Sequence, residues 1–229
     1  MSEKGETGFR NSAEGSRRFT WTDLDKWNTE GYAIEKYGDD PSVLMVGETH
    51  YQTEEIRQQV DLIRRVQPKY ILHEFARGWY YDPQTREYKQ QAGRHFGPQE
   101  AKVKGPGPTR ALIKCADELK IPIIGCDLTL DEIKQIETQL LSDYPDQYIY
   151  DEKGKLTRRQ DSTQVRNFIP EIDAERETRM AQTIAQYQSQ NSGQLVVILG
   201  VRHAAELHQH QELQDKGFGY GYIKQSKLK

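Results

Sequence analysis

The chain has 229 residues, with 32 Lys plus Arg against 35 Asp plus Glu, giving a formal net charge of −3. Hydrophobic residues are 35% and aromatics 10%, enough to close a core and exclude wholesale disorder, while a mean hydropathy of −0.90 assigns much of the chain to the surface. The near-balance of charge excludes a general polyanion binder, because nonspecific nucleic-acid affinity rests on excess basic charge.

No stretch approaches the roughly 20 apolar residues that span a bilayer, and MSEKGETGFRNSAEGSRR lacks the apolar segment of a secretory signal. Neither membrane nor nucleic acid is an expected partner, and the expected location is cytoplasmic. Cys115 and Cys126 lie in apolar segments, are too few for a disulfide scaffold, and read as core packing. Residues 1–18 have almost nothing to bury and read as a flexible tail before a single domain over 19–229.

In chain order, Leu24, Trp27, Tyr32 and Ile34 approximate helical spacing from Thr22 to Tyr37. Ser42 to Gly47 is a short apolar run, as expected of a strand buried on both faces. Ile56, Val60, Ile63 and Val66 recur at helical intervals, Pro68 stops that helix, and Tyr70-Ile71-Leu72 opens a second strand. The set forms a βαβ unit of about 30 residues, the length of a right-handed crossover.

Residues 77–109 show no period and are rich in Gly, Pro and aromatics; a connection this long is often functional. Trp79, Tyr80, Tyr81, Tyr88 and Phe96 suggest a lid, or more plainly an accessory packing patch. A helix carrying Leu112, Cys115 and Leu119 precedes a third strand at Ile121 to Leu128, and Thr129 to Leu141 reads as a helix. Residues 142–170 are polar and punctuated, a second insertion, and Glu171 to Gln190 is a long helix with Ile172, Met180, Ile184 and Tyr187 inward. The strand Leu195 to Leu199 follows, then a helix over Ala204 to Leu213 and an edge strand near Gly217 to Ile223. The alternation predicts an α/β fold: a mostly parallel central sheet flanked by helices, with two irregular or helical insertions at about 77–109 and 142–170.

In such sheets the loops converge beyond the carboxyl ends of the strands, which is where sites form. Four strands end in polar groups: Gly47-Glu48-Thr49-His50, His73-Glu74, Asp127, and Gly200-Val201-Arg202-His203. Two of these share Gly-x-x-His, in which glycine allows a sharp turn and the imidazole points back over the sheet edge. Two imidazoles with carboxylates above one edge suit a divalent metal, and equally general acid/base catalysis. His73 alternates to the opposite side of its strand from Glu74, so Glu74 is the site candidate and His73 structural. Asp127 is either in the site or a cap for the next helix. His95 sits in a Gly/Pro-rich loop, and His208 and His210 read as surface residues.

His73-Glu74-Phe75-Ala76-Arg77 begins like the zincin signature but has Arg where its second histidine is required. No Gly-x-Ser-x-Gly elbow, P-loop or dinucleotide turn is present.

The order VLMVGETH, YILHEFA, PIIGCDLTL, ERETRMAQTI and VVILGVRH resembles the TraB/PrgY family, within the wider group of Tiki proteases, ChaN-type proteins and erythromycin esterases. The resemblance runs from about Val43 to Leu207. It implies one active site of His50, His203, Glu74 and an arginine, Arg176 in preference to Arg179, with Glu48 supported by the Gly-Glu-x-His form. The plainer reading of the helix motif is an i,i+4 surface pair between Glu175 and Arg179. Relatives often carry transmembrane helices or membrane tethers that this sequence lacks.

The function so implied is a hydrolase acting on a peptide or small acyl substrate. In one version His50, Glu74 and His203 hold a divalent metal ion, Glu48 is the base and Arg176 steadies the oxyanion or a substrate carboxylate. In a metal-free version His50 takes the water proton and Glu74 orients it. The alternative is a non-catalytic protein that binds haem or a peptide signal, as ChaN-type and PrgY-like relatives imply.

Overall fold

The computed structural model describes residues 18–26, 32–39, 41–49, 52–91, 108–159, 169–190, 193–207, 210–214 and 219–225. Among them, α1 (Trp21–Lys26) and β1 (Tyr32–Tyr37) lead into β2 (Pro41–Glu48), α2 (Thr53–Val66) and β3 (Tyr70–His73). A hairpin of β4 (Trp79–Asp82) and β5 (Glu87–Gln90) follows, then α3 (Arg110–Leu119), β6 (Ile123–Gly125) and α4 (Leu130–Asp143). A second hairpin, β7 (Tyr148–Tyr150) and β8 (Leu156–Arg158), precedes α5 (Pro170–Gln190) and β9 (Leu195–Gly200). The last elements are α6 (Val201–Leu207), α7 (Gln211–Gln214) and β10 (Gly219–Gln225).

Among the described residues, eight strands form one sheet in the order β1-β10-β2-β9-β3-β6-β4-β5. The run β10-β2-β9-β3-β6 is parallel, while β1, β4 and β5 pair antiparallel at the two edges. The fold is α/β as expected, but the sheet is mixed rather than mostly parallel. Every residue of β2 and of β9 is buried, as strands covered on both faces require.

Alternation along the strands divides the core. Leu44, Val46, Ile71, Val196 and Ile198 face α2 and α3, whereas Val43, Met45, Leu72, Val197 and Leu199 face α5, α6 and α7. A smaller cluster of Tyr148, Leu156, Ile169 and Ile172 packs under α4.

Four local expectations change. Of the helix expected from Thr22 to Tyr37, the described residues are helical over Trp21–Lys26, and Tyr32–Tyr37 is a strand instead. Pairing with β10 decides this, placing Tyr37 opposite Tyr220 with their rings stacked at 4.7 Å. The expected edge strand β10 is an interior one, covered on its outer side by β1. The first part of 77–109 is a hairpin extending the sheet; Trp79 and Tyr81 are core residues there, and Phe96 lies outside the described residues. The segment 142–170 likewise holds the β7–β8 hairpin.

Gln194 ties three backbone groups together just before β9. Its side chain, 7% exposed, accepts from Phe19 N–H at 2.7 Å and donates to the carbonyls of Phe19, at 2.6 Å, and Pro41. Gln194→Leu leaves these groups without their partners, so a stability loss of about 3 kcal/mol is expected, read as a lower urea midpoint at unchanged m-value.

Candidate active site

Helix α5 buries Met180, Ala181 and Ile184 against the sheet. The same stripe, continued one and two turns toward the N-terminus, carries Glu177, Arg176 and Asp173 instead of apolar residues. These polar groups reach the carboxyl ends of β3, β6 and β9.

Glu74 follows β3 with the parity of Leu72, and so faces α5. Its Oε1 accepts from Arg176 Nη2 at 2.7 Å and its Oε2 from Gly200 N–H at 2.6 Å. Asp127, fully buried after β6, accepts from Leu128 N–H at 2.7 Å, from Arg176 Nε at 3.2 and 3.1 Å, and from Arg176 Nη2 at 2.8 Å. Asp173 accepts from Arg176 Nη1 at 3.2 Å and also pairs with Arg202. Four of the five guanidinium N–H groups of Arg176 are thereby committed. Burial opposes that charge, but Asp127, Glu74 and Asp173 more than offset it and raise the guanidinium above its ordinary pKa. Thr129, and not Asp127, is the N-cap of α4, where it forms a capping box with Glu132.

His203 enters from α6, which begins directly after β9. Gly47 makes room for it: a Cβ there would lie 3.1 Å from Val201 Cα and 3.4 Å from Ala204 Cβ. The glycine of the first Gly-x-x-His is therefore a packing residue inside β2 rather than the expected turn, and it does not have a positive φ. His203 is 5% exposed, and its Nδ1 lies 2.9 Å from Glu177 Oε1. A carboxylate accepts, so this contact makes Nδ1 the donor and leaves Nε2 as the acceptor nitrogen whenever the ring is neutral. Nε2 is 3.8 Å from Glu74 Oε1, too far for a hydrogen bond.

The other expected site residues fall elsewhere or outside the described residues. Glu48, buried at the end of β2, turns to the α2 side, where its Oε2 accepts from Gln59 Nε2 at 2.6 Å. His50, His95 and His208 lie outside the described residues. His73 Nδ1 accepts from Phe75 N–H at 3.1 Å. Arg179 reaches α4 and pairs with Glu132 at 2.9 Å, not with Glu175. His210 is half-buried beyond α6.

Among the described residues no group of three or more His, Cys, Asp or Glu side chains is arranged to hold a metal ion. Both oxygens of Glu74 are committed to Arg176 and Gly200, so Glu74 and His203 do not by themselves fit one.

No family model and no curated protein matches the sequence. Among solved structures, ChaN of Campylobacter jejuni, described as binding haem cofacially, is similar over 82% of this chain and 88% of its own. The TM-score is 0.41 and the identity 11%. A likeness that distant carries no argument about function. Among the described residues no helix is long and apolar enough to cross a membrane.

Sequence reasoning missed Glu177, Asp173 and Arg77. The first two lie on the Met180–Ile184 stripe at helical spacing, a signal that was available; Arg77, at 3.3 Å from Asp127 through Nε, follows no period.

Proposed function

We propose that the protein is a hydrolase of the TraB/PrgY kind, within the wider Tiki, ChaN and erythromycin-esterase group, acting on a peptide or small acyl substrate. The observation that carries this reading is the Glu177–His203 pair, which sits beside Glu74 at the carboxyl edge of the sheet.

Glu177 holds Nδ1–H and so fixes the tautomer whose Nε2 can take a proton from water. The water oxygen attacks the scissile carbonyl, and the imidazolium returns the proton to the leaving group. Glu74, held by Arg176 and Gly200 N–H, places a negative charge beside the imidazolium as it forms. Arg176, with most of its donors committed, positions Glu74 rather than meeting an oxyanion. His50 completes the site in this proposal as the second imidazole. The reaction needs no metal ion, because the commitments of Glu74 favour a carboxylate that orients over one that ligates.

The test is a panel of peptide, amide and ester substrates, run with metal-stripped protein and with His203→Gln. Turnover should survive stripping and fall about 10²–10⁴-fold in the variant. Glu177→Gln should lower kcat and move the acidic limb of its pH profile while leaving the fold intact by circular dichroism. Activity lost on stripping and restored by a divalent ion would replace this mechanism with the metal version. Tight haem binding by absorbance with no hydrolysis at any pH would replace it with a binding function.

A further inference from the structure

A cavity of about 260 Å³, with Arg77 and Arg176 in its wall, lies between α4, the start of β8 and the first turns of α5. Its wall is part aliphatic, from Ile133, Leu156, Ile169 and Ile172, and so continues the small core cluster under α4. Five charged residues complete it, and their partners decide what it can hold.

The acids are satisfied. Glu137 pairs with Lys134 at 3.1 Å, and Asp173 with both Arg176 and Arg202. Arg176 is likewise committed to its carboxylates. Arg77 and Lys155 differ. Among the described residues, the one ion-pair contact of Arg77 is Nε to Asp127 at 3.3 Å, where the buried N–H lacks hydrogen-bond geometry. Its terminal nitrogens have no acceptor among the described residues, nor has the Lys155 ammonium. Among the described residues, the uncommitted charge at this cavity is positive.

We infer that the cavity is a carboxylate subsite for a small aliphatic acid or acyl amino acid, with the carboxylate on Arg77 and Lys155 and the chain against Ile133, Leu156, Ile169 and Ile172. A planar guanidinium matches a carboxylate with two parallel N–H groups. The volume falls just below the roughly 300–1,000 Å³ of drug-sized sites, which limits the ligand to about a dozen heavy atoms. Glu137 and Asp173 in the lining repel a dianion, which favours a monocarboxylate over phosphate. The inference rests on the hydrolytic reading only for the scissile bond: Arg176 and Asp173 line this cavity and also belong to the cluster that holds Glu74.

The experiment is calorimetric titration with N-acetyl-L-leucine, its uncharged amide and inorganic phosphate. The acid should bind saturably and the amide at least about tenfold more weakly, with no displacement of the acid by phosphate at equal concentration. Lys155→Gln, at an exposed position, should weaken the acid about three- to tenfold. Arg77→Met should weaken it tenfold or more, and neither variant should change the amide. Equal affinity for acid and amide, tighter binding of phosphate, or an unaltered Lys155→Gln would each overturn the assignment. Acid-selective binding by a protein that hydrolyses nothing supports the subsite and removes the hydrolytic reading; hydrolysis with equal acid and amide affinity does the reverse.

Discussion

Arg176→Gln is expected to cost about 3–5 kcal/mol of folding stability, the range for removing one partner of a buried ion cluster. The guanidinium side chain is 13% exposed, and the carboxylates it serves, those of Glu74, Asp127 and Asp173, are 5%, 0% and 11% exposed. Glutamine supplies fewer donors and no charge, so three acids stay buried near one another with Arg77 and Arg202 as the remaining counter-charges. The loss should appear in both urea and thermal unfolding. A second substitution gives the internal check: Asp127→Asn in the Arg176→Gln background should recover part of the loss, because one of the uncompensated charges is gone. An exposed comparator, Arg57 with its Glu54 contact and 77% side-chain exposure, should tolerate Gln within about 0.5 kcal/mol. Equal, small losses at both positions would show that water already solvates the three acids.

Gly125→Ala should be of similar size for a steric reason. A Cβ at this position would lie 1.5 Å from the Ala76 carbonyl oxygen and 2.5 Å from its carbonyl carbon. Both are backbone atoms, and that oxygen accepts from Trp79 N–H at 3.2 Å. Making room means pushing 74–79 off the end of β6, breaking that bond and loosening β4, whose Tyr80 pairs with Ile124. Overpacking combined with a lost buried hydrogen bond gives about 3–5 kcal/mol. Any protein that folds should have Glu74 displaced and turnover reduced in parallel. Gly154→Ala is the control: φ is +72° but nothing lies within 4 Å, so only the left-handed backbone is penalised, by about 1–2 kcal/mol. A Gly125→Ala protein as stable as that control would mean the 73–79 turn is free to move.

The central strands were legible because burial on both faces writes a continuous apolar run, as in Val43-Leu44-Met45-Val46 and Leu195 to Leu199. The helices α2, α3, α4 and α5 were legible from spacing and from stops such as Pro68. The edges were not. Tyr32–Tyr37 is a strand because β10 pairs with it, a partner nearly 190 residues away that no local window includes. Both hairpins, β4–β5 and β7–β8, have strands of three or four residues, too short to show a period.

In the site, Glu74 was reachable by parity along its strand and Arg176 by the motif around it. Glu177 was equally reachable, since it stands next to Arg176 on the stripe of Met180, and was missed because the spacing argument stopped at the apolar members of that stripe. Glu48 misled for the complementary reason: following a glycine at a strand end says nothing about which face a side chain takes, and the alternation Leu44, Val46, Glu48 points it to α2.

The place of β10 between β1 and β2 has a bearing on the living history of the molecule. This strand is synthesised after every other member of the sheet, yet it fills a slot that β1 and β2 flank. Throughout translation those two therefore wait with open hydrogen-bonding edges, β2 being wholly apolar from Val43 to Val46. A chain cut short before residue 219 would keep the facing edges of β1 and β2 unpaired and open to strands of other chains.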